Sequence, residues 1–408
     1  MGSEKSVSAR GWARTLAFGL ACGALCAAAA TAQPHDKAPP PAAPHDLNDA
    51  LRPIVERHHL PALAVIAMHG GEVVASGAIG VRRAGKDEPV TADDLWHIGS
   101  CAKSMTATLA ARLVEAGTIR WDTTIGESLG KIDALRESIL PAYHDVTLRQ
   151  LLAHRSGLPE DRDPDPTLWP KVLALKGSMI EQRRDTAALV LSREPAAAPG
   201  STMAYSNFGY VVAATMMEQA TGQPWEELIR LHLFEPLGIT SAGFGAPGGA
   251  DEDGEKASQP RGHRLLNGTR RPIEPAALGS DNPPTLRPAG GVHLSLRDWA
   301  KYAAAHVAGH RGQDTPLLKA ESWKILHADE YRQDYALGWA LGQRDWAGGT
   351  VLSHDGSNGL WMAVIWLAPQ RDLAVMAVTN CGGDGASTGC DEAVVAALQA
   401  LDLLPASR

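Results

Sequence analysis

Hydrophobic and polar positions change their period several times along the chain, and the changes divide it into elements. From Leu47, "LNDALRPIVERHH" reads as a helix, and "ALAVIAMHGGEVVASGAIGVRR" after it is two β-like runs around the turn "HGGE", hence a hairpin. Long amphipathic or apolar helices are predicted over 101–116, 147–154 and 206–221, with further helical stretches near 171–192 and 225–233. Late in the chain, "YALGWALG", "TVLSHDG", "LWMAVIWLAP" and "LAVMAVTN" are short strand-like runs separated by turns, and "DEAVVAALQALDLL" is a closing helix.

Strands therefore sit at both ends of the sequence and helices between them. The economical architecture is α+β: an antiparallel sheet from the N- and C-terminal portions (about 47–95 and 290–403), packed with the terminal helices, and a helical portion over about 100–240. No repeat is visible. The segment 241–289, rich in Gly, Pro, Asp and Glu, reads as an irregular surface excursion that overhangs a site.

Composition narrows the class. At 408 residues, with 44% hydrophobic and 21% charged residues, the chain has the make-up of a globular enzyme with a substantial core. Its formal charge is −8 and no basic run occurs, which argues against a nucleic-acid partner. Residues 1–32 differ from the rest: Lys5, Arg10 and Arg14 precede the apolar run "TLAFGLACGALCAAAA", and small residues end at Ala32. That order predicts a secretory signal peptide cleaved after Ala32, leaving a mature charge of −10 and a secreted or periplasmic protein. The apolar run is too short for a stable membrane span, and neither Cys22 nor Cys26 follows a good lipoprotein pattern. Residues 33–46 are Pro-rich and read as an extended tether to a single domain over 47–403. In an oxidising compartment, Cys381 and Cys390 could close the intervening "GGDGASTG" into a disulfide, with two unpaired thiols as the alternative and Cys101 left over.

Several apparent motifs fail on chemistry. "GVRRAGKD" has phosphate-loop spacing from Gly80, yet Asp87 stands where Ser or Thr is needed, and the segment is a hairpin edge. "DRDPDP" at 161–166 alternates acids like a calcium loop, but Pro166 occupies the glycine position and no glutamate closes the loop. The histidines lack zinc-ligand spacing, so no metal is expected.

"GSCAKS" is different. Ser100 and Lys103 are three residues apart at the start of a helix, so hydroxyl and amine lie on one face. Capping by Ser100 and a solvated Lys103 would explain the pair equally well. Two further stretches strengthen a chemical reading. "YSNFGY" at 205–210 places Tyr205 and Asn207 at a helix entry, and "SHDGSNGLW" at 353–361 places His354, Gly356 and Ser357 on a strand between apolar strands. Gly356 permits close approach of a substrate to the backbone. "LLAHRSGLP" at 151–159, a helix end with Gly157 and Pro159 as stop signals, reads as structural.

The ordered set SxxK, YxN and HxG, with "LLAHRSGLP" between the first two and "GGVHLSLRDWAKYA" between the last two, resembles the penicillin-recognising serine hydrolases. It is most similar to their class C β-lactamase-related branch, which includes bacterial esterases and D-aminopeptidases, over about Leu47 to Leu403. The resemblance implies a β-lactamase/transpeptidase-like fold, an antiparallel sheet flanked by helices plus an all-α subdomain, with the active site in the crevice between them. It implies Ser100 as nucleophile, Lys103 as base, Tyr205 as proton relay and Asn207 as a substrate hydrogen-bonding arm. The backbone N–H groups of Ser100 and Ser357 become the oxyanion hole, and no cofactor is implied.

The chain departs from the family at its third motif, where His354-Asp355-Gly356 replaces Lys-Thr-Gly. Histidine is mostly neutral at pH 7, so a permanent charge for a substrate carboxylate is missing. The resulting expectation is hydrolysis of an ester or small amide. A β-lactamase or DD-peptidase acting on lactams or cell-wall peptides is the alternative. A non-catalytic exported binding protein for cell-wall fragments is a further one, against which the intact Ser100, Lys103 and Tyr205 set argues.

Overall fold

The computed structural model describes residues 43–159, 167–248 and 256–405. The expected signal peptide and cleavage point, most of the expected tether and the "DRDPDP" stretch lie outside the described residues. Among those described, no helix is long and apolar enough to cross a membrane.

In chain order the strands are β1 (His45–Asp46), β2 (Ala62–His69), β3 (Glu72–Gly80), β4 (Leu95–His97), β5 (Gly243–Phe244), β6 (Gly262–Leu266) and β7 (Thr269–Ile273). After them come β8 (Val292–Ser295), β9 (Ala340–Arg344), β10 (Gly349–Ser357), β11 (Met362–Ala368) and β12 (Leu373–Thr379). Chain ends meet in one seven-stranded sheet of order β1-β3-β2-β12-β11-β10-β9. All its pairings are antiparallel except β1 with β3, where His45–Asp46, the last residues of the segment read as a tether, add an edge.

The apolar runs of β2, β11 and β12 are continuous because both sheet faces are covered. Ala62, Ala64, Ile66 and Met68 of β2 point into a core shared with the helical portion. Their neighbours Leu63, Val65 and Ala67 point into a second core. That second core packs the helices Asn48–His58 and Ala386–Ala400 on the other face. The period-2 alternation is thus one of destination, apolar on both sides.

The middle of the sequence is helical as expected, with the breaks set by local chemistry. The stretch 171–192 divides into Leu168–Ala174 and Met179–Leu191, because Gly177 takes a φ of +103° and Ser178 forms a capping box with Glu181. The helix near 225 ends at Ile229 and continues as a π-helical turn over Arg230–Phe234. The excursion over 241–289 carries regular structure: it supplies β5 to a small sheet with β4 and β8, and its β6–β7 hairpin turns at Asn267-Gly268, both at positive φ.

The disulfide expectation is corrected. Cys101, Cys381 and Cys390 are buried free thiols. The "GGDGASTG" segment does not fold back as a loop, because a helix starts at Ala386 and carries Cys390 into the core. The Cys390 thiol is directed at the Met362 carbonyl, 3.9 Å away, while Cys381 lies 3.4 Å from the Thr379 hydroxyl. Burial pushes both thiols up from their ordinary titration range, so they stay protonated.

Candidate active site

β4 runs through Trp96 and His97 into a 3-10 turn, Gly99–Cys101, that opens the long helix Ala102–Glu115. The turn places Ser100 at the mouth of the helix, and one turn on, Lys103 is fully buried. Three acceptors surround the Lys103 amine: Ser100 Oγ at 3.0 Å, the Ala289 carbonyl at 2.7 Å, and Asn207 Oδ1. The alternative of a solvated, snorkelling lysine is therefore overturned.

Tyr205 closes the set. Its hydroxyl donates to Ser100 Oγ at 2.9 Å, and its ring lies 4.8 Å from Lys103 Nζ. Asn207, the first residue of the helix Asn207–Thr221, faces Lys103, so the YxN spacing aims both side chains at the serine–lysine pair.

The third stretch arrives on β10. Gly356 lies directly against the turn that carries Ser100: a Cβ added at Gly356 would stand 2.5 Å from the Ser100 nitrogen. Reciprocally, a Cβ on Gly99, whose φ is +51°, would stand 2.5 Å from the Ser357 nitrogen. Two glycines are thus needed for the main chain around Ser100 and the main chain around Ser357 to touch. The Ser357 hydroxyl is turned away, donating to the Trp361 carbonyl at 2.6 Å, so the group Ser357 offers the site is its backbone.

His354 is nearly buried behind this contact. Its Nδ1 donates to the Asp355 carbonyl at 2.6 Å and its Nε2 lies 3.3 Å from the Tyr335 hydroxyl. Burial and then the Lys103 charge hold it down at about 4, so the ring is neutral at pH 7. Cys101 points from the opposite side of the turn toward the His354 carbonyl, at 3.5 Å, away from Ser100.

Two supports escaped sequence reasoning. His154, in the segment read as structural, brackets Tyr205 from both sides: its carbonyl accepts from the Ala204 N–H at 2.8 Å and its Nδ1 accepts from the Ser206 N–H at 3.1 Å. Its ring also stacks on Tyr205, with centroids 4.3 Å apart. Burial pushes the His154 imidazole well below its ordinary range, so it packs as a neutral ring. The second support is the short helix Arg287–Gly290, which brings the Ala289 carbonyl to Lys103. It is anchored by Arg287 on Glu226, itself paired with the buried Arg183–Glu218 ion pair. A histidine immediately before Arg155-Ser156-Gly157 could have flagged the first support. A backbone carbonyl leaves no sequence signal.

The profile of the family described as Beta-lactamase matches residues 47–399. The chain belongs to the beta-lactamase family. It is a serine hydrolase with a β-lactamase/transpeptidase-like fold. Among relatives of the family, it is 28% identical to "Penicillin-binding protein 4" of Amycolatopsis lactamdurans over 342 residues, 82% of this chain and 84% of that one. It is 24% identical to the D-alanyl-D-alanine-carboxypeptidase/endopeptidase AmpH of Escherichia coli (strain K12), covering 78% and 79% of the two chains. The fold is similar to that of the D-amino acid amidase from Ochrobactrum anthropi SV3 complexed with D-phenylalanine, with a TM-score of 0.67, 23% identity, and coverage of 87% and 98%.

Proposed function

We propose that this beta-lactamase-family chain is an exported hydrolase that cleaves an ester or small amide through an acyl-enzyme on Ser100. The observation that carries the reading is Ser100 Oγ held between Lys103 Nζ and the Tyr205 hydroxyl, beside a neutral histidine. The reacting form is the one in which the Lys103–Tyr205 pair has given up one proton: Ser100 Oγ then bonds to the substrate carbonyl carbon as its own proton passes to the vacated site on that pair. The N–H groups of Ser100 and Ser357 take the developing oxyanion, an effect of about 3 kcal/mol per donor in comparable sites. Collapse breaks the bond to the leaving group, which receives the proton from Tyr205. Water then attacks the acyl carbon and gives a proton to the same pair, which returns a proton to Ser100 Oγ as the acyl bond to it breaks.

His354 supports the choice of substrate. In its neutral state it gives a carboxylate no ionic partner, where a lysine would give one. A charge-assisted hydrogen bond contributes roughly 1.5–3 kcal/mol, so its absence costs a lactam about 10- to 100-fold in affinity. The expected result is turnover of a short-chain p-nitrophenyl ester or D-phenylalanine amide, with kcat/KM for a chromogenic cephalosporin at least about 10-fold lower. Cephalosporin turnover equal to that of the ester would overturn the role given to His354, and turnover of none of the three would favour a binding protein.

Export rests on the charged, apolar and small segments of residues 1–32. N-terminal sequencing of protein from the culture medium or periplasm is expected to begin at Gln33. A product retaining Met1 would contradict export by cleavage.

A further inference from the structure

One partly buried carboxylate outside the catalytic set touches both sides of the main-chain contact on which the oxyanion hole depends. Asp281 Oδ1 accepts from Asn358 Nδ2 at 2.8 Å and from the Asn282 N–H at 2.7 Å. It also stands 3.0 Å from His97 Nε2, somewhat off the hydrogen-bonding direction. Asn358 follows Ser357 directly. His97 precedes Gly99 by two residues, and its Nδ1 accepts the Gly99 N–H at 3.2 Å. That acceptor role puts the imidazole proton on Nε2, facing Asp281.

We infer that Asp281 is a positioning residue for the oxyanion hole, tying the Ser100 turn, through His97, to the Ser357 turn, through Asn358. The inference rests on the reading of Ser100 as nucleophile with the Ser100 and Ser357 N–H groups as donors.

Three observations carry it. The two main-chain stretches meet through glycines, at a spacing too close for any Cβ, so side-chain packing between them cannot fix their separation. The Ser357 turn is closed by the Gly359 N–H donating to Ser357 Oγ and the Leu360 N–H to Asn358 Oδ1, and beyond it the His263 N–H holds the Leu360 carbonyl at 3.1 Å; the Asn358 side chain is the arm that reaches Asp281. The segment that carries Asp281 is also fastened to the third wall of the site, since Asn282 Nδ2 donates to the Gly290 carbonyl at 3.3 Å. A Cβ on Gly290 would lie 3.4 Å from the Ser100 nitrogen. Burial raises the Asp281 carboxyl, but His97, Asn358 and the Asn282 N–H outweigh it and hold the group below its usual range, as a carboxylate.

Oxyanion donors act in the transition state and contribute little to ground-state binding, so misplacing them lowers kcat and spares KM. Losing a donor outright costs 10²–10³; displacing one by loosening its tether is expected to lower kcat about 10- to 100-fold in Asp281→Ala, with KM within about threefold. All three contacts fall on Oδ1, an oxygen that an amide also supplies. Asp281→Asn is therefore expected to recover kcat to within about fivefold, a rescue that general loss of packing would not show. Steady-state kinetics with the p-nitrophenyl ester, alongside thermal melting of each variant, reads this out. Unchanged kcat in a folded Asp281→Ala, or a rise in KM alone, would overturn the inference. If Asp281→Ala does not fold, Asn358→Ala removes the Ser357-side arm together with the Leu360 N–H contact inside the turn; it carries the same kcat expectation and overturns the inference if kcat is unchanged. Ser100→Ala measured in parallel separates the two ideas. Activity lost there but kept in the Asp281 and Asn358 variants defeats only the positioning role, whereas activity kept in Ser100→Ala defeats the nucleophile reading and the hole with it.

Discussion

Ser100→Ala is expected to lower kcat/KM toward the ester by about 10⁴-fold or more, the scale seen when a serine hydrolase loses its nucleophile while binding and oxyanion donors remain. It should do so without unfolding the protein. The helix Ala102–Glu115 is held by Ala102, Met105, Leu109 and their neighbours in the main core, and none of that packing involves the Ser100 hydroxyl. What the hydroxyl does touch is Lys103 Nζ and Tyr205 OH, the two groups that receive and return its proton in the proposed reaction. Mass spectrometry after treatment with a serine-reactive phosphonate provides the direct check. One adduct on the wild type and none on Ser100→Ala is the expected pair of spectra. An adduct that persists in the variant moves the nucleophile elsewhere and removes the basis of the mechanism.

The sequence made the site legible in proportion to how much of it is side chain. Ser100, Lys103, Tyr205 and Asn207 converge because each spacing, SxxK and YxN, sits at a helix entry, where consecutive residues are held at fixed angles. The sequence marked Gly356 as a place where a substrate approaches the backbone; in the fold it is the Ser100 turn that β10 presses on there, a contact no sequence pattern announces. The contributions of His154 and Ala289 were hidden because they are made largely through main-chain atoms or ring stacking. Asp281 was hidden for a different reason, since its partners His97 and Asn358 are 184 and 77 positions away and meet only in the fold. For the sheet, β-like runs at both chain ends sufficed. The trimming of "YALGWALG" to β9 follows from Gly338 at a φ of +79° and the Tyr335–Ala340 bridge, which make its first half a turn. The missed thiol state has the same origin as the shifted closing helix. "GASTG" reads as a flexible linker, yet Gly385 takes φ +80° at the cap and the small residues that follow pack as the first turns of the helix.

Lys103→Met is the second variant of large effect, expected to lower kcat by about 10³-fold, within the 10²–10⁴ range that a positioned acid–base group supplies. Methionine keeps the unbranched apolar stem in its fully buried slot and removes only the amine. Stability responds to two opposing terms. A buried cation with an unfavourable desolvation cost disappears, while Asn207 Oδ1 and the Ala289 carbonyl each lose a donor, at about 1–3 kcal/mol per unsatisfied group. The folded state should survive their difference, so a loss of turnover in a protein that still melts cooperatively is attributable to chemistry. The charge itself leaves a separate trace. After burial, Lys103 is the next largest influence holding His354 at about 4 and His154 well below its ordinary range. Removing it should therefore raise the pH at which both rings protonate, observable as an upward shift of their imidazole resonances in an NMR titration, while burial keeps them below 6.5. Lost turnover together with shifted histidines places a charged, proton-handling lysine beside Ser100. Unchanged turnover with the same histidine shifts would leave Lys103 an electrostatic neighbour only, and the base would have to be Tyr205 acting without it.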